Sequence, residues 1–95
     1  MRARSQADGA PLPTSLHSSV YRELIDFLTQ ARQKAGLTQQ AIADRLGRPQ
    51  SYVAKVEGFE RRLDVVEFLE FAKAVDANPL PALKKSWTEL TANSG

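Results

Sequence analysis

Residues 39–58 read Gln39-Gln-Ala-Ile-Ala-Asp-Arg-Leu-Gly-Arg-Pro-Gln-Ser-Tyr-Val-Ala-Lys-Val-Glu-Gly58, and this stretch decides the fold. Apolar Ile42, Ala43 and Leu46 lie on one face of a short helix that opens at the N-cap candidate Thr38. Gly47 can take the positive φ that stops a helix and turns the chain. Pro49 follows, where a missing amide costs nothing, and a second short helix is expected over Gln50–Glu57, closed by Gly58. Val53 and Val56 form its inner side. Two helices joined by so short a turn cross steeply and approach closely. Close approach asks for a small residue in the first helix, a residue tolerant of left-handed φ in the turn, and an apolar plug in the second helix. Ala43, Gly47 and Val53 meet these three demands.

Outward from this centre, the chain reads as helices only. A preceding helix is expected to start near Ser18 or Ser19, with Leu24, Leu28, Ala31 and Ala35 as its buried stripe and Gly36 as its end. Leu37 turns back into the core, and Phe27, off the stripe, either covers the last helix or stays partly exposed. Beyond the loop Phe59-Glu-Arg-Arg-Leu63, Asp64-Val-Val-Glu67 has the form of a capping box. It opens a helix predicted to bury Val65, Phe68, Leu69, Ala72 and Val75, with Glu67, Glu70 and Lys73 on a solvated face. Asn78-Pro79-Leu-Pro81 breaks the chain before a last helix carrying Leu83, Trp87 and Leu90. The expected fold class is all-α, with five helices. Residues 1–17 read as a disordered arm, residues 18–90 as the folded domain and residues 91–95 as a disordered tail.

Composition narrows the chemistry. Ninety-five residues, 42% apolar, suit one domain with a modest core. There is no cysteine for a disulfide or a thiolate metal site, and the one histidine, His17, lies in a polar lead-in without a carboxylate cluster beside it. No activated Ser or Cys, His-centred dyad, metal set or phosphate-cradling glycine loop is evident, so neither an enzyme nor a cofactor is expected. No apolar run is long enough to span a bilayer, and the basic start Met1-Arg-Ala-Arg is followed by no apolar segment, so a cytoplasmic protein is expected. The net charge is only +2, but residues 39–62 hold five basic against three acidic residues, and residues 63–95 hold three against five. The positive end coincides with the paired helices, as contact with phosphate requires.

With Val53 and Val56 inward, Gln50, Ser51, Ala54 and Lys55 face outward on the second helix of the pair. Gln can pair bidentately with an adenine edge, Ser can serve either base type, and Lys can donate to guanine or phosphate. A helix entering the major groove N-terminus first puts Gln50 and Ser51 nearest the bases. Gln39 would present its amide and the positive helix end to a phosphate. Arg48, Arg61 and Arg62 flank the face as phosphate candidates, although Arg61 and Arg62 also suit a plain soluble loop. Tyr52, at the edge, either contacts phosphate or packs against Arg48. Arg2 and Arg4 could extend the contact along the duplex.

The run Leu37-Thr-Gln-Gln-Ala-Ile-Ala-Asp-Arg-Leu-Gly47, followed by Gln50-Ser-Tyr-Val-Ala-Lys-Val-Glu-Gly58, closely resembles Cro and lambda-repressor-type (XRE-type) helix-turn-helix domains. The resemblance covers about residues 20–85. It implies five helices, a recognition helix in the major groove and a homodimer on a palindromic operator. It also implies that Gln39 contacts phosphate and supports Gln50, that Gln50, Ser51 and Lys55 read bases, and that Arg32 and Glu57 form a largely buried ion pair. Two residues depart from the pattern: Arg48 stands at a turn position usually apolar, and Pro49 replaces the usual Ser or Thr cap.

The expected function is a double-stranded DNA-binding transcriptional regulator, a repressor or autoregulator, controlled by its own concentration, a partner protein or proteolysis. Leu83, Trp87 and Leu90 are the candidate dimer contacts, with Trp87 equally suited to a core lid. The same domain also suits the antitoxin of a toxin–antitoxin pair, a restriction–modification controller, or an anti-activator that captures another regulator.

Overall fold

A computed structural model describes residues 11–92 of the protein, with side chains from Ser19 onward. Five helices follow in order: α1 (Pro11–Lys34), α2 (Gln39–Leu46), α3 (Gln50–Glu57), α4 (Val65–Ala74) and α5 (Leu80–Ala92). Among the described residues there is no strand. α2 packs on α3 and α4, while α1 runs behind α3 and against α5.

Local chemistry sets each boundary around the central pair. The Thr38 side chain accepts the Ala41 amide at 3.0 Å and so caps α2. At the other end Gly47 takes φ 67°, its amide bonding Asp44 O and the Arg48 amide bonding Ala43 O. This paired closure satisfies two helix-end carbonyls and needs a left-handed residue. α1 ends in the same way at Gly36. Pro49 precedes α3 with no side-chain cap. The left-handed residue after α3 is Phe59 (φ 63°), held under the Arg22 guanidinium at 4.3 Å, whereas Gly58 has an ordinary φ of −86°. Gly58 is small for a different reason: a Cβ there would lie 3.2 Å from the Ala54 carbonyl oxygen. Asp64 and Glu67 complete the capping box of α4 in both directions.

The core is one cluster in which Ile25, Leu28, Ile42, Val53, Val56 and Phe71 lose essentially all contact with solvent. Leu37 and Leu46 pack partly buried against it, and Phe27 does too while lining a groove with Pro81, Ala82 and Ser86 of α5.

Several boundaries and faces differ from expectation. α1 begins at Pro11, not at Ser18 or Ser19, so the part of the proposed arm from 11 to 17 is helical. Pro11 and Pro13 fall within the first turn, whose amides have no partner inside the helix, and no glycine or proline interrupts the chain until Gly36. Arg2, Arg4 and the side chains of His17 and Ser18 lie outside the described residues. At the other end Thr91 and Ala92 belong to α5, and residues 93–95 of the expected tail lie outside the described residues.

On α1 the inward stripe is Tyr21, Ile25, Leu28 and Arg32; Leu24 and Ala31 sit on its edge and Ala35 is exposed. On α4 the stripe is Phe68, Phe71, Ala72 and Val75, spaced three, one and three, with Ala74 also buried. Val65 is 76% exposed and Leu69 44%, one step around the helix from that stripe. Leu83 is half-buried against the core, while Trp87 is exposed and Leu90 half-buried. The apolar surface left over therefore includes Val65, Val66 and Leu69 of α4 as well as Leu80 and Trp87 of α5.

Candidate nucleic-acid interface

The outer side of α3 begins with its inner side. Val53 and Val56 are fully buried, so the helix cannot rotate without exposing them, and Gln50, Ser51 and Lys55 are held at the surface. Ala54, between them, adds no bulk to this face.

From behind, α3 is fixed by an ion pair. Arg32 of α1 donates through Nε to Glu57 Oε2 at 2.6 Å and through a terminal nitrogen to Glu57 Oε1 at 2.9 Å. Its other terminal nitrogen donates to Leu37 O at 2.8 Å. The side chains of Arg32 and Glu57 keep only 12% and 7% of their exposure. The two-point hydrogen bond to Glu57 pushes the Arg32 pKa above its already high ordinary value. The expected buried pair is present, and it uses a planar guanidinium fork whose N–H groups match the two carboxylate oxygens and still reach the Leu37 carbonyl.

The same carboxylate sets the orientation of the residues in front of it. Gln39 Nε2 donates to Glu57 Oε1 at 2.9 Å, and Gln50 Nε2 donates to Gln39 Oε1 at 2.6 Å. An ionised carboxylate can only accept. Gln39 must therefore turn its N–H toward Glu57 and its carbonyl toward Gln50. Gln50 must answer with one N–H, leaving its second N–H and its Oε1 for an outside partner. One donor and one acceptor, side by side, match the adenine edge in the major groove.

Basic side chains flank this face. Arg48, in the turn, stacks over the Tyr52 ring at 4.5 Å, and Arg61 stacks over the same ring at 4.8 Å. Arg62, exposed, lies over Tyr21 at 4.4 Å, and the Tyr21 hydroxyl accepts the Leu63 amide at 3.1 Å, tying the loop to α1. Of the two alternatives for Tyr52, the packing against Arg48 is present. Partial burial, then the nearby Glu67 charge, raises the Tyr52 pKa, so its phenol stays neutral and can donate to an anion.

Sequence reasoning missed Glu67, which it left on a solvated face. Arg61 donates to both Glu67 oxygens, at 2.8 and 3.0 Å, and Arg48 approaches Glu67 Oε2 at 3.7 Å. The Glu67 side chain is 16% exposed. The Arg61 hydrogen bonds first, then the Asp64 amide, lower its pKa to about 2, so it is a carboxylate at any ordinary pH. The signal for it was present: a capping-box acid uses one oxygen on the helix end and leaves lone pairs for cations in the preceding loop, here Arg61.

Gln39, Arg48, Gln50, Ser51, Tyr52 and Lys55 thus fall along α3 and its two entrances, with Arg61 and Arg62 at its exit loop. Leu83, Trp87 and Leu90 lie on α5. Among the described residues no cluster of His, Cys, Asp or Glu could hold a metal, and no helix is long and apolar enough to cross a membrane.

Comparison with known proteins gives the family of this fold. The helix-turn-helix domain family matches residues 23–83. An XRE-family like protein from Pseudomonas syringae pv. tomato str. DC3000 is 43% identical, over 83% of this chain and 96% of its own, with a TM-score of 0.78. The wild-type restriction-modification controller protein C.Esp1396I superposes with a TM-score of 0.63 over 76% of this chain and 95% of its own; at 15% identity this likeness shows the fold alone. No curated protein matches the chain. With a family match across most of the folded residues and an XRE-type relative this similar, the chain belongs to the XRE-type helix-turn-helix family and is a DNA-binding regulator.

Proposed function

We propose that the protein is a transcriptional repressor or autoregulator that binds a palindromic operator as a homodimer. The hydrogen-bonded chain Glu57–Gln39–Gln50, ending in one outward donor and one outward acceptor, carries this reading. It presents a ready-made adenine contact at the N-terminal end of an exposed helix, which is the end that leads into the groove. Ser51 and Lys55 read neighbouring bases from the same face. Gln39, Arg48, Tyr52 and Arg62 take the flanking phosphates, fixing register without reading sequence. Arg61 stands beside them in the grip of Glu67. In the dimer, Trp87 and Leu90 of α5 meet their symmetry mates, and the two recognition helices enter major grooves about 34–36 Å apart. Leu83 supports that surface from the core side.

The test is a single substitution read on base-varied operators selected from genomic fragments. Gln50→Ala is expected to lose about 1–3 kcal/mol on the selected operator and to relax discrimination at one base pair per half-site. Its salt dependence should match wild type, because no phosphate contact has changed. A variant that retains wild-type discrimination at every position would remove Gln50 from the reading.

A further inference from the structure

Arg61 offers less to DNA than its position suggests. One terminal nitrogen donates both to Glu67 Oε1 at 2.8 Å and to Arg62 O at 2.6 Å, and the other donates to Glu67 Oε2 at 3.0 Å. Its planar face is taken up by the Tyr52 ring, which Arg48 covers as well. Arg48 in turn lies 3.7 Å from Glu67. One carboxylate therefore faces two of the three guanidiniums that flank the recognition helix, Arg48 and Arg61.

That carboxylate is not free to swing away. Glu67 Oε1 accepts the Asp64 amide at 3.0 Å, and the Glu67 amide donates to Asp64 Oδ1 at 2.7 Å. The capping box of α4 thus holds the acid in place, and its side chain is largely buried. A DNA phosphate reaching Arg61 must compete with a carboxylate already bonded in the two-point geometry that a phosphate would itself adopt.

We propose that Glu67 is a charge brake on the DNA interface, a positioning residue that occupies Arg61 and tempers Arg48 so that phosphate alone holds the protein weakly. The proposal rests on the DNA-binding reading above. Its consequence follows from how the two modes of binding are built. Binding to random duplex comes almost entirely from phosphate contacts, whereas an operator adds base contacts. Withholding cations therefore weakens binding to every sequence by about the same factor, and random duplex, which has no base contacts to fall back on, is released at salt concentrations where the operator is still held.

The experiment compares Glu67→Gln with wild type on the selected operator and on random duplex across a salt series. Gln keeps the volume and still accepts the Asp64 amide, so the capping box survives. With the brake removed, random-duplex binding is expected to tighten roughly tenfold at 0.1 M salt, its salt slope steepening by about 0.9 for each further phosphate engaged. Operator binding should tighten by about the same factor, so that non-specific complexes persist at salt where wild type has lost them. Asp26→Asn makes the same charge change at an exposed site on α1 and should leave the slope as it is. An unchanged slope in Glu67→Gln, an equal steepening in Asp26→Asn, or weaker binding to both duplexes would each overturn the proposal.

Should Glu67→Gln not fold, Arg61→Gln answers the same question. With its main partner gone, Glu67 has only Arg48 within reach, so the random-duplex slope should stay at the wild-type value or become shallower; a steeper slope would overturn the brake. Wild-type protein that binds random duplex without any salt dependence would instead overturn the DNA-binding reading itself.

Discussion

Glu57→Ala is expected to lower stability by about 3 kcal/mol and to abolish base discrimination at the position that Gln50 reads. The first effect follows from burial: the Arg32 side chain is 12% exposed, and without Glu57 its charge has no anionic partner in that place. Breaking a buried pair by removing one member costs about 3–5 kcal/mol, and the lower end applies because the Leu37 carbonyl still accepts from Arg32. Urea unfolding should show a lower midpoint at unchanged slope. The second effect follows from the amide chain. With no carboxylate behind it, Gln39 can present either end of its amide to Gln50, and Gln50 can no longer hold one donor and one acceptor outward.

A double variant separates the two effects. Arg32→Met with Glu57→Leu replaces the pair by apolar groups of similar volume, a change that is often neutral or stabilising. Stability should return toward wild type while discrimination stays lost. Recovery of both would mean that Glu57 acts on recognition only through the rigidity of α3.

Phe71→Ala is expected to cost about 3–5 kcal/mol, the range for truncating a large buried aromatic in a core that collapses only partly. Phe71 is 0% exposed and belongs to the cluster that joins α4 to the paired helices. For a domain with roughly 5–15 kcal/mol in total, that is a large fraction. The melting temperature should fall by about 4–8 °C for each kcal/mol lost. Leu69→Ala is the matching control: at 44% exposure it should cost well under half as much. Equal losses would place Leu69 in the core and would contradict the orientation of α4.

The contrast between these residues shows what a sequence can and cannot reveal. Ala43, Gly47 and Val53 were legible because each answers a local steric demand of two helices meeting at a short turn. Thr38, Asp64 and Glu67 were legible as caps for the same reason, since a helix end needs partners within a few residues. Burial around a helix is harder to read. On α4, Val65, Phe68, Leu69 and Ala72 make as good a periodic stripe as Phe68, Phe71, Ala72 and Val75, and only the docking against α2 selects the second. On α1, Leu24 and Ile25 are adjacent apolar residues, and packing chose Ile25 as the buried one.

The site shows the same division. Gln50, Ser51 and Lys55 follow from which side of α3 is buried, and Gln39 from its place at the start of α2. Arg61 and Glu67 do not, because their pairing depends on how the loop after α3 folds back onto the start of α4. A charge in a loop looks like a phosphate contact until its neighbour in space is known. The start of α1 was misread through an over-local rule: Ser18 and Ser19 favour caps, yet nothing between Pro13 and Gly36 forces a helix boundary.

The polar face of α3, braced by Val53, Val56 and the Arg32–Glu57 pair, is the surface expected to meet duplex DNA. Backbone amide NMR shifts, followed as the protein is titrated with its selected operator, address it most directly. The largest changes are expected at Gln39 and across Gln50–Lys55, with smaller ones at Arg48 and Arg62. Changes confined to α4 and α5, with residues 50–55 unmoved at saturating DNA, would rule out α3 as the recognition helix.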